Sequence, residues 1–177
     1  MKNLVFILFV FISKVMFSQT DPWAKVREVN IQYNREIIKS ADLIKIEKQI
    51  VDSINQYRLS KGKNVLKYDS SQSNNARKWS DFLTSEVLQS QDDTLRLRHS
   101  QNGFIENCYA MARYCDIEKL SYKFFYNQLP SSVYQCWFKS KGHNAGMLMN
   151  GEKIGIGVSF ALKDNGTMFT VVTMQIK

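Results

Sequence analysis

The clearest pattern of apolar and polar positions lies near the end of the chain. Bulky apolar residues from Ile154 to Leu162 alternate with Gly, Ser and Ala, which predicts a strand with one bulky and one small face. Asp164-Asn165-Gly166 follows, and Asn-Gly favours a tight hairpin because both residues tolerate positive φ. Segment 168–176 is apolar on both faces, so it predicts a return strand that other layers cover on both sides.

Two helices are predicted in the first third of the chain. Segment 23–41 carries scattered apolar residues among charges and predicts the first helix. The second has a sharper signal, because apolar residues recur at spacings of four, four and three and form one helix face. This helix is expected to end near Lys61-Gly62. The residues of its apolar face are Ile46, Ile50, Ile54 and Tyr57.

A third helix is predicted after Asp69, because Gln72 lies three residues later as in a capping box. Its apolar positions indicate core packing rather than a cofactor site. They are Ala76, Trp79, Leu83 and Val87, with Phe82 and Leu88 alongside. Helices on both faces of the hairpin strands give an α+β fold, a three-layer α-β-α sandwich around a small antiparallel sheet. Gly155-x-Gly157 lies inside a strand with no helix after it, so it does not indicate a dinucleotide loop.

The start of the chain has the layout of a secretory signal. Lys2 precedes the apolar run Leu4 to Ile12, and Ser18 is a small residue at a plausible cleavage point. The run is too short for a permanent membrane span, and no later segment is apolar enough for one. We expect a signal peptide at 1–18, a helical extension at 19–45 and one domain at 46–177. The mature protein would then be secreted or periplasmic.

The composition is that of a globular protein, with 44% hydrophobic, 12% aromatic and 23% charged residues. The formal charge of the 177-residue chain is +8, and it falls by two when Lys2 and Lys14 leave with the signal. A basic surface of this size could attract an anionic polymer or lipid, or be only a solvated exterior. No basic stripe interleaved with aromatic residues is present, so nucleic acid is not an expected partner.

The three cysteines do not form a disulfide framework, because an odd count leaves at least one thiol unpaired within a monomer. Cys108 and Cys115 could pair only across a turn, since a regular strand would aim them at opposite faces and a regular helix would separate them beyond disulfide reach. The pairing stays open. Cys136, beside Trp137, is interpreted as a small buried hydrophobe. Trp137 and Val133, four residues apart, indicate a core-facing helix.

Candidate chemistry is limited by the presence of only two histidines, His99 and His143. Both lie in segments that we expect to be loops or ends of elements. Glu106 lies between them in an apolar and amide setting. Two imidazoles and one carboxylate would make a three-ligand site with an open position, of the kind zinc hydrolases use. The local spacing does not by itself indicate such a site, and a histidine without a metal is the simpler interpretation.

Several short motifs in one order resemble the CAP superfamily, the family of cysteine-rich secretory proteins, insect venom allergens and plant pathogenesis-related proteins, also called the SCP domain. The resemblance covers about Ile46 to Ile176 and is greatest to the compact bacterial members. It implies an α-β-α sandwich, in agreement with the strand faces. The motifs are Asn55-x-x-Arg58 with Gly62 and Leu66, Ala76 and Trp79, His99-Ser100, Glu106-Asn107, Trp137-x-x-Ser140-x-Gly142-His143, and Gly155-Ile156-Gly157 with the closing hairpin.

By this resemblance, His99 and His143 match two histidines of a family cleft that sometimes holds zinc, and Glu106 matches its acid. Asn107 is expected to fix the backbone near Glu106. The chain departs from the family pattern because Ile105 replaces a glycine and Ser140 stands where many members carry a second acid. Basic residues beside the histidines would oppose a bound cation if they turned toward the cleft. Zinc binding is therefore expected to be micromolar at best. The basic residues are Arg96, Arg98, Lys139 and Lys141.

Three function classes follow. The first is a secreted binding or scaffold module whose cleft holds a metal, a lipid-like ligand, an envelope component or a partner surface. The many members of the resembled family without demonstrated catalysis suggest this class. The second is a hydrolase of the envelope or extracellular space, with Glu106 as general base and the histidines orienting water, directly or through zinc. The third is an adhesion or envelope-interaction protein that acts through its basic surface.

Overall fold

The computed structural model describes residues 21–90, 96–113 and 122–177. The predicted signal at 1–18 and Cys115 lie outside these residues. None of the helices in the described ranges is both long and apolar enough to cross a membrane. These ranges contain α1 (Ala24–Ser40), α2 (Leu43–Ser60), β1 (Lys67–Tyr68), α3 (Ser70–Gln89), β2 (Ile105–Arg113), α4 (Tyr122–Lys139), α5 (Lys141–Met147), β3 (Lys153–Leu162) and β4 (Met168–Ile176).

The strands form one sheet in the order β1-β3-β4-β2. β4 pairs antiparallel with β3 on one side and with β2 on the other, and Val172 lies opposite both Val158 and Tyr109. β1 pairs with β3 in parallel. The β3–β4 hairpin is confirmed, including Gly166 in its turn at φ +88°. β1 and β2 were not predicted, because β1 is only two residues long and β2 lies at the sheet edge with a mixed polar pattern.

α3 covers the small face of the sheet at very close range. A Cβ at Gly157 would lie 2.1 Å from the backbone nitrogen of Arg77, and one at Gly155 would lie 2.4 Å from the carbonyl carbon of Gln72. Small hydroxyl side chains fill the interface, where Ser80 Oγ donates to Gly157 O at 2.9 Å and Thr173 Oγ1 donates to Ala76 O at 2.7 Å. The alternation of glycine and bulky residues in β3 therefore fixes the distance between helix and sheet.

The bulky face of the sheet carries the main core, under α2 and α4. The predicted apolar face of α2 is buried, and Trp137 and Val133 of α4 are fully buried as expected. β4 is buried on both faces. The three-layer α-β-α sandwich is therefore confirmed. The side chains of this core include Ile46, Ile50, Ile54, Tyr57, Ile154, Ile156, Val158, Met174 and Ile176.

α1 packs against the β3–β4 hairpin, as part of the same core. Ile37 is completely buried, and Asn34 Nδ2 donates to Gly166 O at 2.9 Å. The predicted helix at 23–41 is therefore confirmed. α1 ends at Ser40, two residues before the Asp42 side chain caps α2 by accepting from Lys45 N at 3.0 Å.

Two residues of the CAP-like motifs hold the end of α2. Asn55 exchanges hydrogen bonds with the backbone of Leu66, at 3.0 Å to its carbonyl and 2.8 Å from its N–H. Arg58 is buried and donates to the carbonyls of Asn64, Met147 and Met149. This guanidinium satisfies backbone acceptors at the end of α5, where a helix leaves its last carbonyls unpaired.

Three expectations about burial are wrong. Phe82 and Leu88 of α3 are 42% and 52% exposed, because α3 turns a narrow face of small and polar residues toward the glycines of β3. Cys136 is exposed, since it lies on the outer side of α4, one residue before the buried Trp137. Cys108 is buried, and both described thiols are free.

Candidate functional site

The candidate residues meet at the start of β2, the edge strand of the sheet. His99 lies in the segment before β2, Glu106 is the second residue of β2, and His143 is the third residue of α5. His143 is therefore in a short helix. The His99 side chain is 62% exposed and the Glu106 side chain 1% exposed, with 3.9 Å between His99 Nδ1 and Glu106 Oε2.

Glu106 is held by three hydrogen-bond donors. Ser100 N donates to Oε2 at 2.6 Å, Gln175 Nε2 donates to Oε1 at 2.7 Å, and the Ser100 hydroxyl also donates to Oε1. A buried carboxylate is costly unless its oxygens are hydrogen-bonded, and these donors replace its lost hydration. Gln175 lies opposite Glu106 in the β2–β4 register, so the sheet itself delivers this donor.

The residue that positions His143 points to the face of the sheet opposite to Glu106. Neighbouring residues of a strand point to opposite faces, so Asn107 faces α5 while Glu106 faces α3. Asn107 Nδ2 donates to His143 O at 2.8 Å, and a Cβ at Gly146 would lie 2.6 Å from Asn107 Oδ1. Asn107 thus holds α5 against the sheet. The expectation that it fixes the backbone near Glu106 is wrong.

The His143 imidazole is half-buried and has one open hydrogen-bonding position. Its Nδ1 is buried without a hydrogen-bond partner in the described part of the chain. Burial, and secondarily the proximity of His99, lowers the pKa of His143 below its ordinary value of 6.5. The ring is therefore neutral at neutral pH, with one nitrogen as donor and the other as acceptor.

The basic residue next to His99 turns away from the cleft. Arg98 Nη2 forms an ion pair with Glu86 Oε1 at 2.7 Å, and its guanidinium lies 5.0 Å from the ring centroid of Phe82. Trp79 stacks on Phe82 and donates from Nε1 to Arg98 O at 3.0 Å. Side chains on the outer side of α3 thus anchor the segment that carries His99. Arg98 therefore repels a cation in the cleft less than the sequence analysis predicted.

Comparison with known protein families identifies the family of this chain. The model of the CFAP184 CAP-like domain matches residues 39–168. The chain belongs to this family of CAP-like domains. The CAP resemblance drawn from the motifs is therefore confirmed.

Two solved structures are similar to this CAP-like domain. The structure of MpPR-1i has a TM-score of 0.48 and 14% identity, over 73% of this chain and 84% of that one. The structure of BmVAL-1 has a TM-score of 0.47 and 20% identity, over 74% of this chain and 76% of that one. No curated protein sequence matches the chain significantly.

The donors of the cleft do not fit a three-ligand zinc site. Within residues 21–90, 96–113 and 122–177, no three His, Cys, Asp or Glu side chains are arranged to hold a metal ion. Both Glu106 oxygens already accept hydrogen bonds, as described above. Ser140, at the position of the family's second acid, is the residue before α5 and makes no capping bond there.

The support of the cleft includes residues that sequence reasoning did not assign. Ser100 and Gln175 hold Glu106, and Tyr57 OH donates to Asn144 Oδ1 at 3.0 Å to hold α5. Trp137 Nε1 donates to Cys108 O at 3.1 Å, which links α4 to β2. Of these residues, Ser100 and Trp137 stand in the family-like motifs beside His99 and before His143, and that was the sequence signal for their roles.

Proposed function

We propose that this CAP-like protein is a secreted binding or scaffold module rather than a hydrolase. In the proposal, the cleft of His99, Glu106 and His143 takes up a small polar ligand and holds zinc only weakly. The observation that carries it is the state of Glu106, whose side chain is 1% exposed and whose oxygens accept three hydrogen bonds. A carboxylate held in this way has a structural role, because it ties the segment next to His99 to β2 and β4.

The same observation argues against general-base catalysis by Glu106. A general base must come within hydrogen-bonding distance of the proton that it removes from a substrate or water. Here Ser100 and Gln175 donate three hydrogen bonds to the Glu106 oxygens, and the exposed His99 imidazole lies 3.9 Å from Oε2 through its Nδ1. A substrate could use the remaining acceptor position of Oε2 only if this side chain, which is 1% exposed, became accessible.

The two histidines supply the ligand-binding chemistry of the proposal. His99 is exposed to solvent, and His143 offers a buried nitrogen whose hydrogen-bonding capacity is unused in the described residues. An imidazole has two ring nitrogens that can take part in hydrogen bonds, which suits a small polar ligand. The two imidazoles can also coordinate zinc, but two ligands without a free carboxylate hold it weakly.

The first experiment is a calorimetric titration of the full chain with zinc. We expect a dissociation constant in the micromolar range or weaker, with binding lost in His143→Gln. Lys67→Gln, at the opposite edge of the sheet, is the matched control and should bind as the wild type does. A nanomolar constant that is lost in His143→Gln would contradict the proposal of a weak site.

A second experiment separates binding from hydrolysis. A panel of peptide, ester and glycoside substrates is incubated with the wild type and with Glu106→Gln, which keeps the shape of the side chain. The proposal expects no turnover above background in either protein. Turnover that disappears in Glu106→Gln while the variant stays folded would establish the hydrolase instead.

Secretion is tested independently of the cleft. The full chain is expressed in a bacterium that has a Sec pathway, and cell fractions are probed for the protein. The proposal expects a product outside the cytoplasm whose N-terminal sequence begins at Gln19. A cytoplasmic product that retains Met1 would refute secretion and leave the binding proposal to its own tests.

A further inference from the structure

A second candidate site lies on the outer surface, where the end of α2 meets the end of α4 and the start of α5. Tyr57 joins the three helices, because its hydroxyl donates to Asn144 Oδ1 at 3.0 Å and its ring centroid lies 5.2 Å from that of Phe138. Asn144 Nδ2 in turn donates to Phe138 O at 2.8 Å. We call this site the α2–α4–α5 surface, and none of its residues belongs to the histidine cleft. They are Tyr57, Lys61, Tyr134, Phe138, Lys139 and Lys141.

Aromatic rings form the centre of the α2–α4–α5 surface. Tyr134 and Phe138 lie one turn apart on α4, with 5.8 Å between their ring centroids and an angle of 32° between their planes. Phe138 is 42% exposed and Tyr134 is half-buried. The buried Tyr57 ring packs edge-on against both of them and fixes their position. Exposed aromatic faces that are fixed in this way can stack on the C–H groups of a sugar ring.

Lysines surround these rings. Lys61 Nζ lies 5.7 Å from the centroid of the Tyr57 ring. Lys139 directly follows Phe138, Lys141 is the first residue of α5, and all three lysines are exposed. Within the ranges that the structure describes, none of the three forms an ion pair with a carboxylate. Their charges are therefore available to an anionic ligand.

The parts of the chain that build the α2–α4–α5 surface contain no acidic residue. Neither residues 53–68 nor residues 119–151 include an Asp or a Glu, although the whole chain has 16 of them. The hydrogen bond between Tyr57 and Asn144 brings these two stretches together. The fold thus combines two basic segments into a surface of one charge sign, which attracts a polymer of the opposite sign.

We propose that the α2–α4–α5 surface binds an acidic polysaccharide, a polymer of uronic acid residues. Its sugar rings lie on Tyr134 and Phe138, and its carboxylates pair with Lys61, Lys139 and Lys141. Each exposed ion pair is weak, so several pairs along one polymer must act together. A polyanion without sugar rings would use the lysines alone and would leave the aromatic faces uncovered.

The test is a calorimetric titration of the full chain with three probes of equal length. They are hexagalacturonate, which has rings and charges, neutral maltohexaose, which has only rings, and hexaglutamate, which has only charges. The proposal expects hexagalacturonate to bind roughly tenfold or more tightly than either of the others, because only it uses both kinds of contact. Equal binding of hexaglutamate, or no binding of hexagalacturonate, would overturn the proposal. Binding to phosphatidylglycerol vesicles without binding to hexagalacturonate would assign the surface to a membrane instead and also overturn it.

Lysine variants then locate the site. Lys139→Gln with Lys141→Gln should weaken hexagalacturonate binding roughly tenfold or more without unfolding the protein, because both side chains are exposed. Lys25→Gln with Lys45→Gln removes the same charge from exposed positions in α1 and at the start of α2, and should leave binding unchanged. An equal loss in both double variants would show a diffuse charge effect and refute the proposal. Affinity lost only in His143→Gln would place the binding in the histidine cleft and refute it as well.

A ring variant tests the aromatic contact separately from the charges. Phe138→Leu keeps an apolar side chain but removes the flat face, and should weaken hexagalacturonate binding roughly threefold or more. Phe82→Leu on α3 is the matched control, because Phe82 is also 42% exposed, and it should bind as the wild type does. Circular dichroism confirms that both variants are folded. Wild-type affinity in folded Phe138→Leu would show that the rings do not contact the polymer.

Discussion

At the scale of single residues, the buried carboxylate of Glu106 depends on one neighbour more than on any other. Ser100 supplies both a backbone N–H and a hydroxyl, and it lies next to the exposed His99. The same residue therefore stabilises the charge of Glu106 and sets the position of His99. A change in the Ser100–Glu106 contact should therefore affect both the folding stability and the shape of the cleft.

We predict that Ser100→Ala lowers the free energy of unfolding by about 1.5–3 kcal/mol, the usual contribution of a hydrogen bond to a charged group. The backbone donor stays, so the protein should still fold. Urea unfolding followed by circular dichroism measures the change. Ser132→Ala, at an exposed position of α4, is the control and should change stability by less than about 0.5 kcal/mol. Equal effects of the two variants would show that Glu106 does not need this hydroxyl.

A second residue-scale property concerns the two described thiols. Burial, and secondarily the nearby charge of Glu106, raises the pKa of Cys108 from its ordinary value of 9.0 to about 12. Cys136 is exposed on α4. Only a thiolate is nucleophilic, so the two cysteines should differ in reactivity.

In a Cys115→Ser background, we predict that Ellman's reagent modifies Cys136 rapidly in the folded protein and Cys108 only after unfolding.

The raised pKa of Cys108 also predicts a pH effect on stability, since the folded state holds the Cys108 proton more tightly than the unfolded state does. The contribution of the protonated Cys108 thiol to folding stability is complete below pH 9. This contribution is lost as the pH rises from 9 toward about 12. Unfolding free energies measured across this range should fall less steeply in Cys108→Ala. The same slope in both proteins would contradict the assignment.

At the scale of elements, the close approach of α3 to β3 decides which helix face becomes interior. The apolar pattern of α3 included Phe82 and Leu88, but the narrow gap over Gly155 and Gly157 admits only small side chains. The larger residues stay outside, where Phe82 and Trp79 instead support Arg98. Helix periodicity identified the helix correctly, and the strand's glycines selected its buried face.

We predict that Gly157→Ala is strongly destabilising, by about 1–3 kcal/mol or more, because its Cβ would overlap the backbone of α3. Gly142→Ala in α5 is the matched control, since a Cβ there meets nothing within 4 Å. Thermal and urea unfolding of both variants checks the difference. Wild-type stability in Gly157→Ala would show that α3 can move away from the sheet at little cost.

At the scale of the whole molecule, α1 is part of the core although nearly all of it lies before the residues that the family model matches. Ile37 is fully buried in the main hydrophobic cluster, and Asn34 binds the hairpin at Gly166. The sequence predicts a helical extension at 19–45. The described part of it packs on the domain.

We predict that Ile37→Ala lowers the free energy of unfolding by about 2–5 kcal/mol and keeps a single transition, as for other buried isoleucines. Ile44→Ala, at a position that is 54% exposed, should have a small effect. Urea unfolding monitored by circular dichroism and by tryptophan fluorescence tests both statements. A separate early transition, or equal effects of the two variants, would show that α1 is not part of the cooperative unit.

Much of this protein is determined by local sequence patterns. Apolar spacing and the Asp69 cap are enough to predict α2 and α3, and the alternation around the Asn165-Gly166 turn predicts β3 and β4, because these signals act within one element. The motif order identified the CAP superfamily, and with it the candidate residues His99, Glu106 and His143.

Only the tertiary structure decided how these candidates are used. Gln175 reaches Glu106 across 69 residues of sequence, and Asn107 turns to the face opposite Glu106 to hold His143. The same holds for the exposure of Cys136 and Phe82. The pairing of strands and the packing of helices on the sheet bring these residues together, and both involve elements that are far apart in the sequence. The hydrogen bonds that Glu106 accepts are therefore a property of the assembled fold.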